Sequence, residues 1–371
     1  MIETQIDLSS FSKDSGFYGE INLILTVKSF DLQAIRKRYI SSRNNKSGKT
    51  GSVERRAPSK GGVISLSLKN GATNNEHKLC EVFEPRGIDF HEKRFAFAAE
   101  NIIYILSEFG EQEKLSNPWF SYIHTVQFHP IDLNRIIISS SGFDLIQEYD
   151  YSTKKVMFEW LAWENGFNKA LDPDTNQDII LTRDTSTAAE LRARKIPYYL
   201  VTNPESDHLP TAKRAAFINS VTYNPDNPEF ILATFFHEGK VYQINTSDNS
   251  SEVLLNNLKN PHGGHILNDN VIATSTASGE IFVSDRNELK KISFKNLPGK
   301  PEGLEDLEWI QNTLSIHNYL IAIDSNRTSF IIIDLINKKY DQIPYDNNWA
   351  VQDMVSGTLS NKQKLALSSI K

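Results

Sequence analysis

The chain is poor in the residues that would give its function away. It has one cysteine in 371 residues, Cys80, which excludes an internal disulfide framework. That thiol lies in the strand-like run Leu79-Cys80-Glu81-Val82-Phe83 and reads as a buried, inert group. No apolar run approaches the 18 or so residues of a membrane helix. The start Met1-Ile2-Glu3-Thr4 has no basic region followed by an apolar core. No secretory signal is therefore expected, and cytoplasmic residence is the expectation. Charge of one sign is also lacking. Forty Lys and Arg stand against 46 Asp and Glu, a net charge of -6, so nothing global favours nucleic acid as a partner. The short catalytic signatures are absent as well: no HExxH, no phosphate-binding P-loop, no GxSxG elbow and no EF-hand loop.

What the chain does have is a degenerate repeat of about 40 residues, the length of a propeller blade. Six segments open alike: Arg86-Gly87-Ile88, His124-Thr125-Val126, Asn219-Ser220-Val221, His262-Gly263-Gly264, Trp309-Ile310-Gln311 and Val351-Gln352-Asp353. Their spacings are 38, 95, 43, 47 and 42 residues, so the 95 contains one period and an insertion of about 50. Behind the starts come short runs of strand composition separated by turn residues, such as Asp226-Asn227-Pro228, Glu238-Gly239 and Ser278-Gly279. The pattern predicts an all-β fold over residues 1–371, a single six-bladed β-propeller with a partly helical insertion.

The last unit begins near Val351 and runs out of chain. Strands at 351–355 and 363–368, paired with 21–27 and 63–68, would close the ring and remove the exposed edges of an open sheet. Two stretches fall outside the repeat. Residues 34–60 are dense in Lys and Arg with one acid, Glu54, and predict a flexible basic loop that an anionic partner could use. Residues 162–215 include Thr185–Arg194 and Thr211–Ala216, both of helical composition, and would cap or flank the channel.

Inner strands of a propeller run along one axis, so their first residues form a ring at one mouth. Here the ring would hold Arg86, His124, Asn219, His262, Trp309 or Gln311, and Gln352. Arg86 would clamp an anion with its donor fork, although a salt bridge with Glu84 is an equally simple role. His124 and His262 would act as acid, base or nucleophile, and the glycines after His262 allow a tight turn beside the channel. Asn219 and Gln352 would orient a substrate, Trp309 would supply an apolar wall, and His208 could descend from the insertion. The ring is short of carboxylates and has no close ligand pair. No cofactor and no metal is therefore predicted, though a divalent metal stays open. The expected partner is a small polar or anionic substrate. The other reading is a non-catalytic propeller that binds a protein or small ligand through its rim.

The segments His124–Gln127, Phe143–Asp150, Val156–Trp160 with Trp163, Ile218–Asp226 and Val241–Ile244 resemble the arylsulfotransferase-related propeller proteins. Pro261-His262-Gly263 also resembles inner strands of six-bladed lactonase- and strictosidine-synthase-like propellers. The first resemblance implies a sulfuryl-transferring histidine, His262 or His124, and an anion clamp at Arg86. Those enzymes are usually exported, and no export signal is expected here. The resemblance therefore implies a related scaffold carrying different chemistry.

Overall fold

The computed structural model describes residues 2–43, 45, 49–54, 57–207, 209–285 and 287–370. Among these, six antiparallel sheets each use four strands that neighbour one another in the chain, except at the closure. Sheet I holds Pro85–His91, Arg94–Ala99, Ile102–Leu106 and Gln112–Ser116; sheet II runs from Ile123–Phe128 to Lys155–Leu161. Sheet III runs from Ile218–Tyr223 to Ser251–Leu255, sheet IV from Pro261–Leu267 to Glu288–Ser293, and sheet V from Ile310–Ile316 to Lys339–Pro344. In sheet VI, Ala350–Ser356 pairs with Ile21–Ser29, followed by Lys60–Lys69 and Ala72–Phe83. The first strand of each sheet packs against the first strand of the next, and that of sheet VI returns to sheet I. The sheets therefore stand in a closed ring around one axis.

Most middle strands are apolar and buried throughout, as in Ser329–Asp334 and Arg135–Ser140. Such runs are expected where both faces of a sheet are covered by neighbours. Apolar layers fill the gaps between sheets, for example Leu25, Ile64, Ile323, Phe330 and Ile332 between sheets V and VI. The N-terminal chain adds two outer strands that the repeat did not reveal. Ile2–Asp7 pairs in parallel with the last strand of sheet IV, and Ser12–Lys13 does the same on sheet V.

Closure differs from the expectation in one strand. Residues 361–368 are not a strand but helix α3, Asn361–Ser368 (numbered in chain order with α1 and α2 below). Ser360 and Gln363 make a reciprocal capping box that starts it, which outweighs the apolar alternation of Leu365-Ala366-Leu367. The fourth strand of sheet VI is instead Ala72–Phe83, whose first half is polar and exposed and so has no hydrophobic signature. Helix α3 covers that strand, with Leu359, Leu367 and Ile370 against Leu79 and Val82.

The basic stretch begins as a helix rather than a loop, and its other described residues up to 59 are irregular. Helix α1 spans Leu32–Arg43. Asp31 caps it, with Oδ1 accepting from Ala34 N at 2.9 Å. Leu32, Ile35 and Tyr39 form a helical stripe that packs on Trp309 and Ala350. Even Arg36 is buried, donating from Nη2 to the Ser325 carbonyl at 3.0 Å. Of the charges that suggested a loop, Lys46, Arg55 and Arg56 lie outside the described residues.

The insertion is partly helical, as expected, but also carries a small sheet. It holds Lys169–Asp172, Gln177–Thr182 and Tyr198–Leu200 with helix α2, Thr185–Ala193. Thr211–Lys213 is a single 3-10 turn rather than a longer helix. Ala170, Ile179, Leu181, Val201 and Leu209 pack with residues of sheets II and III, so the insertion flanks those two sheets. Its last residues reach the axis. Among the described residues, no helix is long and apolar enough to cross a membrane.

Candidate functional site

Each first strand carries a bulge near its start. The pairing skips at Arg86-Gly87, at His124, at Asn219, at Gly263-Gly264 beside His262, at Gln311-Asn312 and at Gln352. A bulge inserts a residue without a ladder partner and re-aims its side chain. Arg86, His124, Asn219, Gln311 and Gln352 are therefore bulge residues, while His262 is paired and stands just before its bulge. Gly263 has φ +62, and a Cβ there would stand 1.8 Å from Asn312 Oδ1. Glycine is required at that bulge by both conformation and space.

A cavity of about 200 Å³ occupies the mouth. Arg86, His124, His262, Trp309, Gln311 and Gln352 line it. Asn219 does not. It is buried, and its Nδ2 donates to the Pro261 carbonyl at 2.8 Å, bracing sheet III to sheet IV. The substrate-orienting role expected for Asn219 does not fit its place outside the cavity lining: its Nδ2 is used between sheets, and its Oδ1 is buried without a partner. His208 lies outside the described residues.

Arg86 makes the salt bridge with Glu84 and a further contact with His124. Its Nη2 bonds Glu84 at 2.6 Å, and its Nη1 lies 3.2 Å from His124 Nε2. His124 Nδ1 is 2.9 Å from the Tyr122 carbonyl, which can only accept. The proton therefore sits on Nδ1, and Nε2 accepts from the guanidinium. Burial, then the Arg86 charge, holds His124 well below the usual histidine range. Burial pushes Glu84 upward, but the charge and hydrogen bond of Arg86 bring it out below its ordinary value.

His262 differs. Its Nδ1 lies 3.2 Å from the Asn260 carbonyl and 2.8 Å from Thr276 Oγ1. Nδ1 is again the protonated nitrogen. Nε2 makes no hydrogen bond with any described residue, and the side chain faces the cavity. Burial, then Lys28, lowers His262 to about 3, so the ring is neutral at pH 7. Phe217 and Phe236 bridge the two histidines, with ring centroids 5.4 Å from His124 to Phe217, 4.7 Å between the phenylalanines and 5.6 Å on to His262.

Sequence reasoning missed two cations here. Lys28, at the end of Ile21–Ser29, has its Nζ 5.6 Å from the Trp309 ring centre. Arg214, from the end of the insertion, is buried between the rings of Tyr122 and Phe217, at 4.7 and 4.8 Å. Its hydrogen bonds are long ones, 3.4 Å from Nε and Nη2 to the Leu209 carbonyl. Burial lowers it to about 10, which leaves it charged at pH 7. Arg38 of α1 joins them, and Tyr39 stacks on Trp309 at 4.6 Å. Glu84 is the one carboxylate among the described lining residues.

Asp144 fixes the segment that carries Arg214. This buried carboxylate accepts from the backbone N–H groups of Ala215, Ala216 and Phe217 at 2.9, 3.2 and 2.6 Å, and from Trp163 Nε1 at 3.2 Å. The sequence offered one signal, an aspartate inside an otherwise apolar hairpin, Phe143-Asp144-Leu145.

No family model and no curated protein matches the chain. Solved structures do. The structure titled a nidogen/laminin complex aligns with TM-score 0.52 at 10% identity, over 91% of this chain and 97% of that one. A streptogramin B lyase aligns with TM-score 0.42 at 13% identity, over 71% of this chain and 70% of that one. The fold is a β-propeller. At such identities the likeness extends to the fold alone, and it does not carry the arylsulfotransferase resemblance further.

Proposed function

We propose that sheets I to VI are the blades of a six-bladed propeller, and that the chain is an enzyme acting on a small organic anion in the mouth cavity. The observation that carries this reading is the cavity's mismatch of charge. Lys28, Arg38, Arg86 and Arg214 face Glu84 alone, next to a neutral imidazole whose Nε2 has no hydrogen bond among the described residues. Buried cations are costly unless matched, so such a cavity favours an anionic occupant. Trp309, Tyr39, Phe217 and Phe236 suit an aromatic or otherwise apolar body attached to that anion. Gln352 Oε1 is buried without a partner and can accept from a ligand donor.

The two histidines divide into unequal roles. His262 Nε2 is the general base, with Nδ1 held by Thr276 and Asn260 so that the lone pair faces the substrate. His124 is a positioning residue, because its Nε2 is occupied in orienting Arg86. Arg86 and Arg214 hold the anion.

A panel of carboxylate, phosphate and sulfate esters and of oxo acids, followed for both binding and turnover, tests the reading. His262→Ala should lower turnover by about 100-fold or more while leaving anion affinity within a few-fold. Arg214→Ala should weaken binding by about 10-fold or more. Full turnover in a folded His262→Ala variant would remove the base. Anion binding without turnover across the panel would make the chain a ligand-binding propeller instead.

A further inference from the structure

Lys28 is the member of the mouth cavity that anion binding alone does not account for. Its side chain is half-buried and lines the cavity, yet Nζ makes no hydrogen bond or ion pair with any described residue. The nearby acid is already used. Glu84 binds Arg86 and accepts from Ser59 N. The face of Trp309 stands on one side of the amine. The charges around it come from three elements: Arg38 of α1, Glu84 and Arg86 at the start of sheet I, and the neutral His262 of sheet IV.

We propose that Lys28 is an amine nucleophile that forms an imine with an anionic carbonyl compound held in the mouth cavity. The proposal rests on the anion-binding reading above and deepens it, by making the substrate class an aldehyde or ketone that carries a carboxylate or phosphate. In the step, the Nζ lone pair attacks the carbonyl carbon and one N–H proton passes to the carbonyl oxygen, giving a carbinolamine. Nitrogen then gives up its one remaining proton to the hydroxyl as the C–OH bond breaks, and the oxygen leaves as water. The sum is amine plus carbonyl giving imine plus water, with no oxidant or reductant. His262 Nε2 can take the proton from nitrogen and return it to the departing hydroxyl.

Nucleophilic attack needs the neutral amine. Burial, then Arg86, lowers Lys28 to about 7; Arg38 adds to this and Glu84 opposes it. A desolvated lysine beside other cations is the environment in which imine-forming lysines are activated. At pH 7 about half of Lys28 is neutral, against well under a hundredth of an exposed lysine.

The test uses the full chain and pyridoxal 5′-phosphate as a probe, an aromatic aldehyde carrying a phosphate. Borohydride trapping at equimolar probe and peptide mapping by mass spectrometry locate the imine. Lys28 should be labelled at least about 10-fold faster than exposed lysines at pH 7, with a rate that rises through pH 7 rather than pH 10. Inorganic phosphate should compete. Lys28→Arg and Lys28→Met should both lose the label, and the arginine variant, which keeps the positive charge, should bind inorganic phosphate more tightly than the methionine variant. Label spread over exposed lysines with Lys28 unmodified overturns the proposal. If phosphate still binds in calorimetry, the anion-site reading survives that result; if phosphate fails to bind as well, both fall.

Discussion

Asp144 does not line the mouth cavity, yet four donors converge on it. Those bonds set the path of Ala215–Phe217 and so place the Arg214 guanidinium against Tyr122. Burial raises Asp144 above its ordinary value, offset in part by the Trp163 and backbone donors. Asp144→Asn would replace two accepting oxygens with one and turn an NH₂ toward N–H groups. At about 1–3 kcal/mol per stranded buried donor, the expected loss is about 2–4 kcal/mol. A drop in denaturant midpoint with unchanged slope would register it, together with weaker anion binding. A change below about 0.5 kcal/mol would mean that the hairpin repacks. At this scale the sequence was readable where a side chain broke the strand pattern. His124, His262, Arg86 and Gln352 stood out because polar groups occupied strand starts. Lys28 did not, because a lysine closing an apolar strand looks like an ordinary exposed end. Arg214 did not, because Lys-Arg-Ala-Ala has the composition of a solvated helix. Asn219 matched the pattern, but its amide serves the neighbouring sheet.

Helices α1 and α3 escaped the repeat for opposite reasons. Helix α1 lays Ile35 and Tyr39 over the mouth, but its apolar stripe is sparse and its remaining positions are basic, so charge density masked the period. Helix α3 is short, and its apolar residues alternate as a strand's would; the informative feature was the Ser360-to-Gln363 box. Ser360 serves twice, since its Oγ also donates to the Glu108 carbonyl at 2.8 Å, tying α3 to sheet I. Ser360→Ala should cost about 1–2 kcal/mol. Hydrogen exchange should quicken in 361–368 and in the outer strand Ala72–Phe83 that the helix covers. Unaltered protection there would show that α3 is held by Leu367 and Ile370 alone. The strands themselves were legible in sheets II to V, but the fourth strand of sheet I, Gln112–Ser116, is mostly polar and exposed and gave no signal. In sheets II to V, apolar middle strands and Gly or Asn turns repeat in order.

For the molecule as a whole, the buried carboxylates and the buried histidines titrate in opposite senses. Beyond the bulges, Asp89 and Asp353 line a second cavity together with apolar side chains such as Val126, Ile266 and Met354. Burial raises Asp89 to about 6; burial, then the charge of Asp89, raises Asp353 to about 7. The native state therefore binds more protons than the unfolded chain between about pH 4 and 7. This contribution is full below about 4 and is lost as pH rises through 7. The buried histidines act in reverse. His262 at about 3, with His124, His237 and His265 also lowered by burial, contributes stability that is full above about 6.5 and lost as pH falls. Asp353→Asn keeps an oxygen for Met354 N and Asn312 Nδ2, which Asp353 Oδ1 now accepts at 2.8 and 2.7 Å. The variant should gain melting temperature relative to wild type at pH 8 compared with pH 5. An equal difference at both values would place the titration elsewhere.

The path of the first 29 residues has a kinetic consequence. They lie in turn along the outer edge of sheet IV, the outer edge of sheet V and the second position of sheet VI. The two outer-edge partners, and Ala350–Ser356 on one side of Ile21–Ser29, are made from residue 288 onward, whereas Lys60–Lys69 on the other side of Ile21–Ser29 lies close by in the chain. Ile21–Ser29 can pair with Lys60–Lys69 first, but the ring closes only when Ala350–Ser356 reaches its other edge. Folding should therefore end in one slow step that joins distant parts of the chain, and the open ring before that step is the species most prone to pair with another copy.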